Sequence, residues 1–237
     1  MAKTNKGKCE GCSVTGIIPK EAAQHCQKCP QIKQKLNVKG GTATEAFVAI
    51  VFGDRVATEY WMNVLIPCDT PVYEVEEFLK DIWLECCGHM TTWEGLKNGV
   101  GEFKDIYGGN EEPDEKDVAI SECVDLGGTV SMDYDMGTTT TVNLMFYEKI
   151  NVKMDDPGIR VLIRNTINKP NCKECKKPNH PVHYTCDDCD YSKMCEECGD
   201  GEHEEHSKTT ISNSPRSGSC GYSYDDDEEI PEQYQLS

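Results

Sequence analysis

The first hydrophobic pattern along the chain is typical of two paired strands. Residues 44–52 form an apolar, partly β-branched run, and residues 58–66 alternate between apolar and polar side chains. Gly53 and Asp54 lie between the two runs and suit a turn. The pattern therefore predicts a β-hairpin.

A helical period follows. From Val75 to Cys86, apolar residues recur at i, i+3, i+4, i+7, i+8 and i+11. A start signal precedes this run and Gly88 follows it, so we predict a helix over residues 72–86. Residues 129–134 and 138–147 predict a second hairpin.

These elements predict an α+β fold for residues 42–153, in which one main helix packs on a small mixed β-sheet. Cys-rich segments lie on both sides of this core. We divide the chain into five units: an N-terminal zinc knuckle (1–40), the core (42–153), a connector (154–170), a double-zinc finger (171–207) and a polar tail (208–237). The tail contains an acidic run at 225–229.

The composition of the chain indicates which ligands and partners to expect. The 237 residues include 15 cysteines, and the N-terminus has no apolar signal-peptide segment. We therefore expect a cytoplasmic protein without a membrane segment, whose reduced thiols in CxxC pairs bind metal. The net charge is −18, which disfavours nucleic acid and anionic membranes as partners. A protein partner is expected instead.

The C-terminal block contains four pairs of zinc-ligand residues. Zinc takes four nitrogen or sulfur ligands, so four pairs predict two sites. The block is too small and polar to fold alone, and each structural zinc contributes about 10 kcal/mol or more. Spacing leaves open whether neighbouring or alternate pairs share an ion. The pairs are Cys172/Cys175, Cys186/Cys189, Cys195/Cys198 and His203/His206.

The spacing of these pairs resembles the B-box and ZZ-type cross-brace fingers. That resemblance implies interleaving, in which alternate pairs share an ion. One ion would be bound by Cys172, Cys175, Cys195 and Cys198, and the other by Cys186, Cys189, His203 and His206.

The N-terminal segment contains Cys9, Cys12, Cys26 and Cys29. Two CxxC pairs at this separation predict a third structural zinc ion. Four thiolates also suit an iron–sulfur cluster, and a redox dithiol is a further alternative. All three predicted zinc sites have four protein ligands, which indicates a structural role, since a catalytic zinc keeps a position open.

A separate group of cysteine and histidine residues lies around the end of the predicted helix. Cys86 falls on its apolar face and suits core packing. One alternative is that Cys87 and His89 form a nucleophile–base pair. The other is a fourth metal site that uses Cys86, Cys87, His89 and either Cys68 or Cys123. Cys220 is a candidate for docking the tail onto the body.

Two strings, FLKDIWLECCGHMTTW (78–93) and YDMGTTTTVNLMF (134–146), resemble the plasmid Ri open-reading-frame-three-like family, also described as insertion-element passenger proteins. The string NSPRSGSCGY (213–222) and the zinc block look like its longer, zinc-finger-bearing members. The resemblance implies an α+β domain and assigns no reaction.

Three functions follow as hypotheses. The favoured one is a zinc-binding, non-enzymatic, adaptor-like protein that binds another protein. The second is a nucleic-acid-associated protein linked to a mobile element. The third is a cysteine-dependent enzyme using Cys86, Cys87 and His89.

Overall fold

A computed structural model describes residues 5–53, 59–101, 116–220, 222 and 229–236. Within them, eight strands form one sheet in the order β2-β1-β8-β4-β3-β7-β6-β5, and three more form a sheet in the order β10-β9-β11. The strands are β1 (Gly7–Cys9), β2 (Thr15–Ile17), β3 (Thr42–Gly53), β4 (Trp61–Pro67), β5 (Thr91–Glu94), β6 (Thr129–Tyr134), β7 (Thr140–Met154), β8 (Arg160–Asn165), β9 (Tyr184–Cys186), β10 (Ser192–Met194) and β11 (Lys208–Thr210).

The α+β prediction is confirmed, but the sheet is larger than the small sheet expected. Its strands pair antiparallel instead of forming a mixed sheet. The helices are α1 (Pro19–Lys28), α2 (Pro30–Lys35), α3 (Val72–Leu79), α4 (Ile120–Cys123) and α5 (Glu196–Asp200), with short 3-10 turns at Lys97–Gly99, Asp187–Cys189 and Glu232–Tyr234. None of the helices in the described part of the chain has the length and apolarity to span a bilayer.

The predicted main helix is present. It comprises α3 and a wider π-helical turn, Lys80–Leu84. It ends earlier than predicted because Glu85 is extended, with φ −65° and ψ 127°. Cys86 therefore lies beyond the helix, where it is partly buried against the core.

Both predicted hairpins are present. Strands β3 and β4 pair from Ala46↔Pro67 to Phe52↔Trp61, and β6 and β7 pair from Thr129↔Met145 to Tyr134↔Thr140. Asp54, part of the first predicted turn, lies outside the described residues.

Strands β3 and β4 are covered on both faces. Phe47 and Val51 face one core, which includes the apolar side of α3, whereas Ala46 and Val48 face a second core that includes α1 and α2. Burial on both faces explains why residues 44–52 are apolar nearly throughout. A helix on one face was predicted, and the N-terminal segment supplies the cover for the other.

Residues 154–170, predicted as a connector, contain β8. This strand pairs with β4 on one side and with β1 on the other, and all its residues are buried. Two arginines interrupt its apolar pattern, which conceals the strand in the sequence. Arg160 is accommodated because its guanidinium donates to the carbonyl oxygens of Gln233 (2.8 Å) and Asp156 (2.7 Å).

The segment expected to be a polar tail packs on the core between residues 211 and 220. Asn213 and Ser214 are buried. The Asn165 amide donates to Asn213 Oδ1 (2.7 Å), and the Ser214 hydroxyl donates to the Trp83 carbonyl (2.5 Å). The acidic run at 225–229 lies outside the described residues apart from Glu229.

One buried carboxylate anchors the helix side of the core. Glu76 on α3 is 2.6 Å from Lys116 Nζ and 2.9 Å from Lys80 Nζ, and it accepts a hydrogen bond from the Trp93 indole (3.2 Å). Burial alone would raise the pKa of Glu76, but the hydrogen bonds and charge of these lysines lower it to about 2.

We predict that Glu76→Gln lowers the free energy of unfolding by about 3 kcal/mol at pH 7, because the pKa is about 4.3 in an unfolded chain. A depressed folded-state pKa stabilises above the unfolded value, so the difference between wild type and variant shrinks as pH falls from about 4 to 2. Urea unfolding measures both effects.

The matched control is Glu77→Gln. Glu77 is the next residue, its side chain is 59% exposed, and it also contacts Lys80. An exposed pair contributes about 0–1 kcal/mol. Equal losses of stability in the two variants would contradict the role assigned to Glu76.

Candidate metal centres

Cysteine and histidine ligand atoms converge in four groups among the described residues. Within each group the ligand atoms lie within 4.8 Å of one another, and the cysteines are free thiols. The groups are Cys9/Cys12/His25/Cys29, Cys86/Cys87/His89/Cys220, Cys172/Cys175/Cys195/Cys198 and Cys186/Cys189/His203/His206.

The first C-terminal group joins two CxxC turns. Cys195 precedes α5 and Cys198 lies within it. Cys172 Sγ is 3.8 Å from Cys198 Sγ, and Cys175 Sγ is 3.9 Å from Cys195 Sγ. Sulfurs about 2.3 Å from a tetrahedral zinc ion lie about 3.8 Å apart, so the spacing fits one ion.

The second C-terminal group is built around the end of β9. Cys186 Sγ is 3.4 Å from His206 Nδ1, and Cys189 Sγ is 3.5 Å from His203 Nδ1. The structure therefore brings alternate pairs together, in the interleaved arrangement. It does not join neighbouring pairs.

The ligands themselves make up most of the finger's interior. The buried cluster of this block consists of Cys172, Cys186, Met194 and Cys195. Burial alone would raise the pKa of Cys172, but hydrogen bonds from the backbone at Cys195 and Cys175 lower it to about 7, which favours the thiolate that binds metal. Within residues 171–207 the buried apolar side chains that are not ligands are those of Val182 and Met194. The block therefore has little apolar burial, and metal would have to stabilise it.

The N-terminal group contains a residue that the spacing did not identify. Cys9, Cys12 and Cys29 converge with His25, whose Nε2 lies 3.4 Å from Cys12 Sγ. Cys26, predicted as the fourth ligand, is not in this group.

Helix geometry explains the exchange of ligands. His25 is four residues before Cys29, so the two lie on the same side of α1, whereas Cys26 and Ala22 lie on its buried face. Cys26 packs in the core beside Tyr147, and burial raises its pKa to about 12. One signal in the sequence could have identified His25. Ala22 and Cys26 are four residues apart and so define the apolar face of the helix, and His25 does not lie on that face.

The remaining group lies just past the π-helical turn. Cys87 Sγ is 2.9 Å from His89 Nε2, and Cys86 Sγ is 3.5 Å from Cys87 Sγ. The fourth member is Cys220, instead of Cys68 or Cys123, which are buried in the main core. Burial alone would raise the pKa of Cys86, but hydrogen bonds from Arg216 and Cys87 lower it.

Comparisons with known proteins assign no family. No family model matches the chain, and a search of curated proteins found no match. A solved structure of a protein of unknown function, MM3350 from Methanosarcina mazei Go1, is similar over 54% of this chain and 71% of that chain, with 15% identity and a TM-score of 0.41. This similarity carries no functional argument, and the resemblance to the plasmid Ri family stays a prediction.

The N-terminal ligand set can be tested with neighbouring substitutions. We predict that His25→Ala lowers the zinc content by one ion per chain after dialysis against a weak chelator, because three ligands remain where zinc requires four. Cys26→Ala retains that ion and costs about 1 kcal/mol of stability from lost burial. Elemental analysis of both variants measures the result, and the reverse outcome would restore Cys26 as the ligand.

Proposed function

We propose that this chain is a zinc-binding, non-enzymatic protein that binds another protein in the manner of an adaptor. Three structural zinc ions are assigned, one to the N-terminal group and two to the C-terminal finger. The observation that carries the proposal is the finger's interior, in which four of the six buried side chains are ligands: Cys172, Cys186, Cys195 and His203. Such a block folds when metal is bound.

Zinc is the metal that these donor sets favour. One C-terminal group has four cysteines and the other has two cysteines and two histidines, and both compositions are common in structural zinc sites. At the N-terminus, His25 in place of Cys26 gives three cysteines and one histidine, another common zinc composition, whereas iron–sulfur clusters usually have four thiolates. Each set supplies four protein ligands, which supports a scaffolding role over catalysis.

The surface of the finger supports a basic protein segment as the partner. Residues 171–207 contain ten carboxylates and four lysines, and all ten carboxylates are exposed. Bound thiolates add further negative charge. A surface of this sign attracts Lys- and Arg-rich chains and repels phosphate backbones.

One aromatic side chain on this surface is suited to contact a partner. Tyr191 is 69% exposed, and both it and Asp190 have left-handed backbones, with φ values of 56° and 52°. The turn thus holds an aromatic ring outward beside carboxylates. Tyrosine is enriched at the energetic centres of interfaces, so we place the contact with the partner at Tyr191.

The experiment is fluorescence anisotropy with a short Lys/Arg-rich peptide and acidic and Gln-substituted versions of it. We expect binding of the basic peptide alone, weakened by salt. Replacing Glu202, Glu204 and Glu205 by glutamine weakens binding by roughly tenfold, at about 0.5 kcal/mol per charge. Tyr191→Ala weakens it by a similar factor while zinc content stays unchanged.

The matched control replaces three exposed carboxylates of the core, Glu94, Asp117 and Glu122, by their amides. Binding by this variant stays within twofold of wild type. Equal weakening by both triple variants would indicate only a net-charge effect and contradict a finger site. Binding of duplex DNA or RNA at low salt, without peptide binding, would replace the proposal by the nucleic-acid hypothesis.

A further inference from the structure

The Cys86/Cys87/His89/Cys220 group is assembled by the tertiary fold. In the three zinc sites proposed above, the ligands come from short stretches of chain, as Cys172 and Cys198 do, 26 residues apart. Cys87 and Cys220 are 133 residues apart. This group forms only where the C-terminal segment, residues 211–220, lies against the end of the π-helical turn.

The four ligand atoms of the group lie within 4.8 Å of one another, close enough to surround one ion. Cys220 Sγ is 3.3 Å from His89 Nε2 and 3.9 Å from Cys87 Sγ. Cys87 Sγ is 2.9 Å from His89 Nε2 and 3.5 Å from Cys86 Sγ. In the finger the thiol–imidazole distances are 3.2–3.5 Å and the two thiol–thiol distances above are 3.8 and 3.9 Å. The two distances from Cys220 fall within these ranges, and the two from Cys87 to His89 and to Cys86 are shorter than them.

We propose that Cys86, Cys87, His89 and Cys220 bind a fourth zinc ion, which fastens the C-terminal segment to the core. The site would supply three thiolates and one imidazole, and this donor set selects zinc among common cellular divalent ions.

The orientation of His89 favours a metal over a nucleophile pair. In a Cys–His–carboxylate arrangement the thiol and the carboxylate contact opposite ring nitrogens. Here Asp135 Oδ2 lies 3.6 Å from Nε2, the same nitrogen that faces both thiols. The His89 backbone N–H also donates to the Tyr134 hydroxyl (3.2 Å), which holds the residue in position.

Arg216 provides a charge that suits a thiolate-rich site. Its guanidinium is fully buried, lies 2.6 Å from Asp135 Oδ2, and donates to Cys86 Sγ at 3.6 Å. A zinc ion with three thiolates carries one net negative charge, and a hydrogen-bond donor beside a thiolate orients and stabilises such a ligand. Arg216 lies in the same segment as Cys220, so docking of that segment brings both residues to Cys86, Cys87 and His89.

Exposure distinguishes this site from the other three. Cys87 and Cys220 are exposed, and neither Cys86 nor His89 is fully buried, whereas each other group contains two buried ligands. An accessible ion exchanges more readily, so we expect the fourth zinc to be removed first by a chelator.

The first test counts zinc per chain in anaerobically purified full-length protein by elemental analysis. We expect four ions in wild type, three in Cys220→Ser and four in Cys68→Ser, the control at a thiol outside the groups. Equal counts in wild type and Cys220→Ser would overturn the proposal. A wild-type count of three with Cys220→Ser also at three refutes the fourth site alone, whereas a count near zero refutes the three proposed sites as well.

A second test uses the unmodified sequence and does not depend on a variant folding. Iodoacetamide labelling mapped by mass spectrometry reports each thiol separately. Free exposed thiols at Cys87 and Cys220 would react at the rate of a peptide thiol, whereas zinc-bound thiolates react at least tenfold more slowly until chelator is added. Peptide-like rates before chelation would overturn the proposal.

The attachment of the C-terminal segment to the core can be measured separately from the zinc count. Hydrogen–deuterium exchange of residues 212–219 should rise at least tenfold in Cys220→Ser and stay unchanged in Cys68→Ser. Unchanged exchange in Cys220→Ser would show that the ion does not hold the segment.

Discussion

Strands β3 and β4 have apolar side chains on both faces, so each face must be covered before the hairpin can be stable. One cover is α3 with its π-helical turn, which buries Phe78 and Trp83 against the sheet. The other is the N-terminal segment, whose α1 and α2 bury Ala22 and Ile32 on the opposite face. Since apolar area removed from water is the main favourable term in folding, the position of that segment matters to the whole core.

The N-terminal segment is short and polar, and its hold on the sheet depends on few contacts. Strand β1 pairs with β8 over three residues, from Gly7 to Cys9. Cys9 on β1 and Cys29 between the two helices belong to one ligand group, so a bound ion would join the strand directly to the helices. The proposed zinc would therefore act on the core, by keeping its second cover in place.

Sequence periodicity predicted the elements whose burial alternates or repeats locally. Both hairpins and the main helix follow from it. It missed β8 and the docking of residues 211–220, because Arg160, Asn213 and Arg216 are buried through partners far away in sequence. In the candidate sites, CxxC spacing identified most ligands. Cys26 was predicted as a ligand in place of His25 because CxxC spacing alone does not show which face of α1 is buried. Cys220 could not be identified as a group member from spacing, because only the tertiary fold brings it to the other three residues.

Arg216 shows why the C-terminal segment and the fourth cluster belong together. A fully buried guanidinium is stable only while Asp135, the Thr138 carbonyl and the Thr140 hydroxyl accept its hydrogen bonds. Asp135 depends on the same contact, since the hydrogen bond from Arg216 lowers its pKa to about 2. Detachment of the segment would leave this carboxylate beside the core without its cation. Cys220, four residues further along, places a thiol where a metal–sulfur bond would oppose that detachment, and the polar network and the ion would then stabilise the same docked state.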